Sequence, residues 1–171
     1  MASQPQDAGA EDGRHDFDFF FGSWQLQNRK RVKPLVRGDD EWIEFESRAE
    51  AWPILGGLGN VDTFSAPSFP GRPGFEGLSL RLVEPGTGIW RIWWASTVGN
   101  GLLDPPVVGR FDHGVGLFEC DDVLDGVPVK VRFTWKDITM NSATWEQSFS
   151  FDEGATWETN WVTRHARVSG R

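Results

Sequence analysis

The chain has 171 residues, of which 39% are hydrophobic and 25% charged, a composition typical of one globular domain with a sizeable core. Its net charge of -8 at pH 7 and its isoelectric point near 4.8 disfavour nucleic acids and anionic membrane surfaces as partners, because both attract basic proteins. No apolar run is long enough to span a bilayer. We therefore expect a globular protein without a nucleic-acid or membrane partner, present as a monomer or a homodimer.

The first 14 residues are polar and do not combine a basic start with an apolar stretch, so they do not resemble a signal peptide. We interpret residues 1–14 as a disordered tail and residues 15–171 as the folded domain. Cys120 is the sole cysteine, which excludes an intrachain disulfide and favours a cytoplasmic location.

In chain order, apolar and polar residues alternate in ten segments separated by turn residues, which predicts ten strands. The strands are expected at about 24–32, 41–51, 58–65, 75–84, 89–97, 107–111, 115–123, 127–138, 143–151 and 157–168. In the fourth, Leu78, Leu80 and Leu82 share one face, and Ser79 and Arg81 share the other. No helical period persists, so the pattern predicts an all-β, antiparallel up-and-down meander that closes into a barrel rather than leaving free edges.

An aromatic run ends at Gly22-Ser23-Trp24, directly where the first strand begins. We expect Gly22 to allow a tight turn and Trp24 to close the barrel floor, because an indole buries a large apolar area. This Gly-x-Trp resembles the opening of lipocalins and their calycin relatives. In lipocalins an arginine from the end of the barrel covers that tryptophan, so the resemblance implies Arg167 across Trp24, or Arg164 if a bulge shifts the register.

Longer stretches resemble a family of small bacterial calycin-like β-barrel proteins whose function is uncharacterised. The matching segments are 15–24 (HDFDFFFGSW), 55–62 (LGGLGNVD), 103–111 (LDPPVVGRF) and 145–161 (WEQSFSFDEGATWETNW). The resemblance implies a single antiparallel calycin-like barrel of about ten strands with a short N-terminal helical or irregular plug. The analogy to lipocalins, fatty-acid-binding proteins and nitrobindins suggests a small hydrophobic ligand, which is an inference from the fold and not from this site.

A local motif, Ser-x-Asp-x-Gly-x-Thr-Trp, spans residues 150–157 and matches the Asp-box pattern. Asp152 can accept backbone hydrogen bonds across the turn, and Gly154 can adopt a positive φ. Turn chemistry accounts for every fixed position, so we interpret the motif as a folding device and not as a catalytic or metal site.

The ten tryptophans beside 13 phenylalanines and no tyrosine indicate either an aromatic-walled cavity or a very aromatic core. If the apolar face of each strand lines the interior, the polar residues on that face mark a ligand site. The ligand-binding candidates are Trp24, Asn28, Phe45, Asp62, Trp94, Phe133, Trp145, Gln147, Trp161 and Thr163. For Asn28 and Gln147 a rim position or a locally bonded core amide is the competing interpretation, and for Asp62 it is a turn role.

His165 is the candidate catalytic residue, and three interpretations stay open for it. It could act as a general acid or base, bind haem as in nitrobindin-like barrels, or lie at the rim. The three histidines are too dispersed for a metal site, and no nucleotide-binding loop or nucleophile elbow is present. Acidic neighbours should raise the pKa of the Cys120 thiol and make it a poor nucleophile. The sequence thus predicts no metal and no cofactor.

The first hypothesis is a module that binds a small hydrophobic or aromatic molecule inside a tryptophan-lined barrel. The alternative is a cofactor-free isomerase, cyclase or lyase that uses the cavity and one acid or base. A haem-binding barrel is the third. A carboxylate or histidine isolated deep in the cavity would favour the enzyme, and a uniformly apolar cavity would favour the binding module.

Overall fold

The structure is a computed structural model that describes residues 12–168, and these residues form a closed barrel of antiparallel strands. The ten strands are β1 (Gly22–Arg31), β2 (Trp42–Ile54), β3 (Gly59–Ala66), β4 (Phe75–Glu84), β5 (Ile89–Ser96), β6 (Val107–Asp112), β7 (Val115–Leu124), β8 (Val127–Lys136), β9 (Ser142–Ser150) and β10 (Glu158–Arg167). Each strand pairs with the next along the chain, and β10 pairs with β1. The predicted ten-stranded up-and-down barrel is therefore confirmed.

Strand faces follow the alternation of the sequence where that alternation is strong. On β1, Trp24, Leu26 and Asn28 are buried, while on β2 Phe45 and Ser47 face inward beside them. Because successive side chains of a strand point to opposite faces, the polar residues between them, such as Gln27 and Glu46, lie on the outside.

On β4 the predicted division of side chains between the two faces is confirmed, but the assumption that the apolar face lines the interior is wrong for this strand. Ser79 and Arg81 point into the barrel and are buried, whereas Leu78 faces outward with 38% of its surface exposed. The register explains this, because Asp62 of β3 lies opposite Ser79 and both share the interior face. Alternation alone cannot show which face is inside when the interior face carries polar residues.

The predicted helical plug is not supported. Among residues 12–168 there is no α-helix, and β1 is preceded only by a single 3₁₀ turn at Asp18–Phe20. The side chains around this turn are nevertheless buried: Phe17 contacts Trp90 edge-on at 4.9 Å between ring centroids, and Phe20 lies 4.9 Å from Trp135. These aromatic rings form a packed core across the end of the barrel where β1 begins, which we call the floor.

The barrel closes at the floor through Gly22, Trp24 and Arg167, as the sequence predicts. Arg167 lies opposite Trp24 in the β1–β10 register, and its guanidinium carbon is 4.3 Å from the indole centroid. Gly22 has φ +109, and a Cβ atom there would lie 2.9 Å from Arg167 Nη1. The glycine therefore supplies both the turn and the space for the arginine.

The Asp-box forms the turn between β9 and β10. The Asp152 carboxylate accepts hydrogen bonds from the backbone N–H of Thr156 at 2.8 Å and from the hydroxyls of Thr156 and Ser150. These bonds lower the pKa of Asp152 to about 2. Next to this turn, a β-bulge lies between Thr159 and Trp161. It turns Asn160 inward, so that Thr159 and Trp161 do not share one face of β10.

Of the predicted tail, residues 1–11 lie outside the described residues, and Gly13 within 12–14 is buried. The proposed domain limits stay a prediction. In the described part of the chain, no helix is long and apolar enough to cross a bilayer.

Candidate functional site

A cavity of about 210 Å³ lies above the floor and extends towards the opposite end of the barrel. Its walls are mostly aromatic: Phe133 and Trp145 lie 5.0 Å apart, and Trp145 meets Trp161 edge-on at 5.7 Å. Trp94 borders the cavity from β5, 5.9 Å from the ring of Phe64 on β3. Six of the ten tryptophans lie inside the barrel, in the packed floor (Trp24, Trp90, Trp135) or the cavity wall (Trp94, Trp145, Trp161), so both interpretations of the composition hold in different parts of the barrel. The other four neither line the cavity nor belong to the buried core.

Gly77 makes room for Trp94. A Cβ atom on Gly77 would approach Trp94 Cη2 to 2.1 Å, so the indole can lie across β4 only because this residue has no side chain. The backbone of Trp94 is held from the other side, where its carbonyl oxygen accepts the N–H of Asp104 at 2.8 Å. A neighbouring strand and a returning loop thus fix one wall of the cavity.

A polar group of side chains borders the cavity directly above the floor. Arg81 Nη1 lies 2.5 Å from a carboxylate oxygen of Asp62 and donates to Asn60 Oδ1 at 3.0 Å. The guanidinium carbon stands 5.0 Å from the Phe17 ring and 5.2 Å from the Phe20 ring. Arg81 Nε has no partner in the described structure, so this buried cation keeps one unused donor beside the cavity.

His165 lies at the same level, packed among Phe20, Trp24 and Trp135. Its pKa is lowered to about 4, chiefly because burial penalises the charged imidazolium, and the charge of Arg81 adds to this effect. The imidazole is therefore neutral at pH 7. Its Nδ1 atom lacks a partner of good hydrogen-bond geometry among residues 12–168.

The far rim of the cavity is acidic. Asp104 lies in the loop between β5 and β6, and Asp122 lies near the end of β7, with Cys120 between them along the rim. Burial and the charge of Asp122 raise the pKa of Asp104. Burial, followed by Asp122, Asp121 and Asp104, raises the pKa of Cys120 to about 11, which agrees with the expectation of a poor nucleophile.

The structure brings most of the predicted site residues to this cavity. Those that border it are Asp62, Trp94, Phe133, Trp145, Gln147, Trp161, Thr163 and His165. The other three, Trp24, Asn28 and Phe45, are buried beside it: Trp24 belongs to the floor, and Phe45 stacks on Phe69 at 4.1 Å.

Asn28 acts as a buried hydrogen-bonding hub next to the wall. Its Oδ1 accepts from Trp161 Nε1 at 3.1 Å and from the Thr163 hydroxyl at 3.0 Å, while its Nδ2 donates to Ser47 Oγ at 2.7 Å. Gln147 donates to Asn160 Oδ1 at 2.9 Å. Both amides are thus bonded locally, and Asn28 orients the indole of Trp161.

Sequence reasoning missed Arg81, Asp104, Asp122 and Lys30. Lys30 continues the inward face of β1, and its Nζ stands 5.1 Å from the Trp161 centroid, with a pKa lowered to about 8 mainly by burial. The parity of β1 predicts this position, since Lys30 follows Asn28 by two residues. The parity of β7 likewise puts Asp122 on the face of Phe118. No local pattern points to Asp104 or to its proximity to Asp122, because a loop and a strand end from different segments bring them together.

A scan against protein-family models gives no match for this chain, and a sequence search among curated proteins gives none either. Among solved structures, the chain is similar to an S-type phycobiliprotein lyase from Guillardia theta, with a TM-score of 0.64 and 8% identity over 99% of this chain and 100% of that chain. At this identity the likeness concerns the fold alone, and it supports the closed antiparallel β-barrel.

Two further solved structures are less similar to this chain. A redesigned β barrel gives a TM-score of 0.48 at 9% identity, covering 91% of this chain and 96% of that one. A DUF1329 family protein from Desulfovibrio piger gives 0.37 at 8%, covering 96% and 91%.

Proposed function

We propose that the barrel binds a small, largely aromatic molecule in the cavity between the floor and the acidic rim. The observation that carries this proposal is the cavity itself, which is walled by Trp94, Trp145, Trp161 and Phe133 and holds a few polar groups at its base. Aromatic walls with a small number of fixed polar groups are the usual composition of a small-molecule site.

The volume limits the size of the ligand. A cavity of roughly 150 Å³ holds benzene, so a cavity of about 210 Å³ is suited to one ring or two fused rings. A haem macrocycle is much larger than this cavity. The site therefore does not favour the haem alternative.

The test is calorimetric titration with 1-naphthalenemethanol, a neutral two-ring probe. We expect saturable binding by the native chain, quenching of tryptophan emission, and loss of binding in Ala49→Met, because Ala49 borders the cavity and the longer side chain would fill it. The same substitution at the exposed turn residue Ala155 is the control and should leave binding intact. No binding by the folded native chain to this or related one- and two-ring probes would contradict the proposal.

A cofactor-free proton-transfer enzyme is the second candidate, and the observation that favours it is the position of His165 and Asp62 on one cavity. Two features weaken it: Asp62 is ion-paired with Arg81, and the lowered pKa of His165 makes the imidazole a weak base.

The enzyme candidate can be tested with 5-nitrobenzisoxazole, a neutral two-ring compound. When a base removes the proton on C3, the N–O bond breaks and the isoxazole ring opens to a cyanophenolate. If His165 is a base, the chain should accelerate this opening, His165→Gln should abolish the acceleration, and the rate should be constant above about pH 5, where the imidazole is already neutral. An equal rate in His165→Gln would remove His165 from the mechanism.

A further inference from the structure

The charges around the cavity do not cancel. Its titratable lining groups are Asp62, Arg81, Asp104, Cys120, Asp122 and His165. With pKa values of about 11 and about 4, the Cys120 thiol and the His165 imidazole are both neutral at pH 7. Asp62 and Arg81 neutralise each other as an ion pair. Asp104 and Asp122 are left over, and neither forms an ion pair with any of residues 12–168.

The two unpaired carboxylates lie where the aromatic wall ends. The backbone N–H of Asp104 donates to the Trp94 carbonyl, and both residues line the cavity. Asp122 is half-buried and accepts the N–H of its neighbour Val123 at 2.7 Å. Carboxylates next to an indole face form a favourable environment for a cation, which gains from both the charges and the ring quadrupole.

The opposite end of the cavity also carries unused hydrogen-bonding capacity. Arg81 is 4% exposed and His165 is 6% exposed, and both line the cavity. Arg81 Nε has no partner among the described residues, and His165 Nδ1 has none of good hydrogen-bond geometry there, with the backbone of Thr163 and Ala143 nearby. Buried polar atoms are almost always bonded in native proteins, so unpartnered atoms on a cavity wall indicate a ligand or ordered water.

From this arrangement we infer that the ligand is a small aromatic amine carried as a cation, with its rings between Trp94 and Trp145 and its ammonium group beside Asp104 and Asp122. A polar atom on the far side of the rings would reach Arg81 or His165. This inference rests on the proposed function, and it adds the charge and the orientation of the ligand.

Three probes that share one ring system and differ in charge test the inference. They are 1-naphthylmethylamine, which is cationic at pH 7, 1-naphthalenemethanol, which is neutral, and 1-naphthoate, which is anionic. In calorimetric titrations of the native chain at low salt we expect the amine to bind about tenfold more tightly than the alcohol, and the acid most weakly. The advantage of the amine should decrease in high salt, because a partly exposed pair is screened.

Variants then assign the preference to particular carboxylates. In the double variant Asp104→Asn/Asp122→Asn, the ratio between the affinities for the amine and for the alcohol should fall from about tenfold to near one. Asp121→Asn is the matched control, because Asp121 has the same charge, faces solvent and is paired with Lys130 at 2.8 Å. It should keep the preference unchanged, and thermal melts should show that all variants are folded.

The outcomes separate the two proposals. If none of the three probes binds, the proposed function fails and the inference falls with it. If the alcohol or the acid binds as tightly as the amine, the proposed function stands and the inference is overturned. If the amine is preferred but the double variant retains that preference, the assignment to Asp104 and Asp122 is overturned.

Discussion

His165 couples the stability of the barrel to pH. Its pKa is about 4 in the folded chain and 6.5 in the unfolded chain, so between these values the unfolded state binds more protons. Stability contributed by the neutral imidazole is therefore complete above about pH 6.5 and lost as the pH falls towards 4, by about 3 kcal/mol. Urea midpoints measured from pH 7 to pH 4 should show this slope, and His165→Gln should reduce it; an unchanged slope in the variant would be inconsistent with this role.

The Asp62–Arg81 pair is a second residue-scale test, since both side chains are buried. Removing one member of a buried ion pair leaves an uncompensated charge, so Asp62→Leu should cost about 3–5 kcal/mol in urea unfolding. Adding Arg81→Met to that variant should restore much of the loss, because the two apolar side chains no longer leave a buried charge unpaired. If the double variant is as unstable as the single one, the pair does more than balance charge.

At the scale of elements, Arg167 joins the last strand to the first. Its side chain donates to the carbonyl oxygens of Phe19, Phe21 and Met140 in addition to covering Trp24. Arg167→Leu should therefore lower the free energy of unfolding by about 1.5–3 kcal/mol, the usual effect of losing hydrogen bonds from a charged group. Arg164→Leu is the control: Arg164 is an exposed residue of the same strand and should change stability little.

The packing of β4 against β5 depends on Gly77. In Gly77→Ala the new methyl group would overlap the Trp94 ring, so the indole must move and the wall of the cavity must change shape. We expect a loss of about 1–3 kcal/mol from overpacking, an altered tryptophan emission spectrum and weaker binding of 1-naphthalenemethanol. In Gly99→Ala, the control, the nearest atoms to the new Cβ are 3.8 Å away, and both properties should persist.

At the scale of the whole molecule, the barrel has one short seam. β5 and β6 pair only from Trp90 to Ile92, whereas β1 and β2 pair along the full length of β1. The cavity rim formed by the β5–β6 loop lies directly beyond this seam. Local opening follows the distribution of backbone hydrogen bonds, so the barrel should open here first, which would admit a ligand.

Hydrogen–deuterium exchange followed by mass spectrometry checks this prediction. Peptides covering residues 93–112 should exchange faster than those covering β1 and β2, and saturating 1-naphthalenemethanol should slow them. Uniform exchange around the barrel would show that the seam is as stable as the other strand pairs.

Local patterns determined the strand content and most strand faces. Alternation in β2 and β8 was strong because each has one mostly apolar face and one mostly charged face, and the turns between strands carry glycine, asparagine or aspartate. The sequence also predicted how the floor closes, with Arg167 across Trp24 and Gly22 at the turn. One small residue and one indole leave few ways to close it.

Only the tertiary structure determined which side chains line the cavity. β4 alternates as clearly as its neighbours, but its leucines face solvent, because its register with β3 sets Ser79 beside the inward-facing Asp62 and turns Arg81 to the same face. The acidic rim likewise joins Asp104 and Asp122 from segments that are separated in the sequence. Periodicity reports which residues share a face of one strand. Which face is inside, and which charges then meet across the barrel, depends on how distant strands pair, and that information is not local to any stretch of the chain.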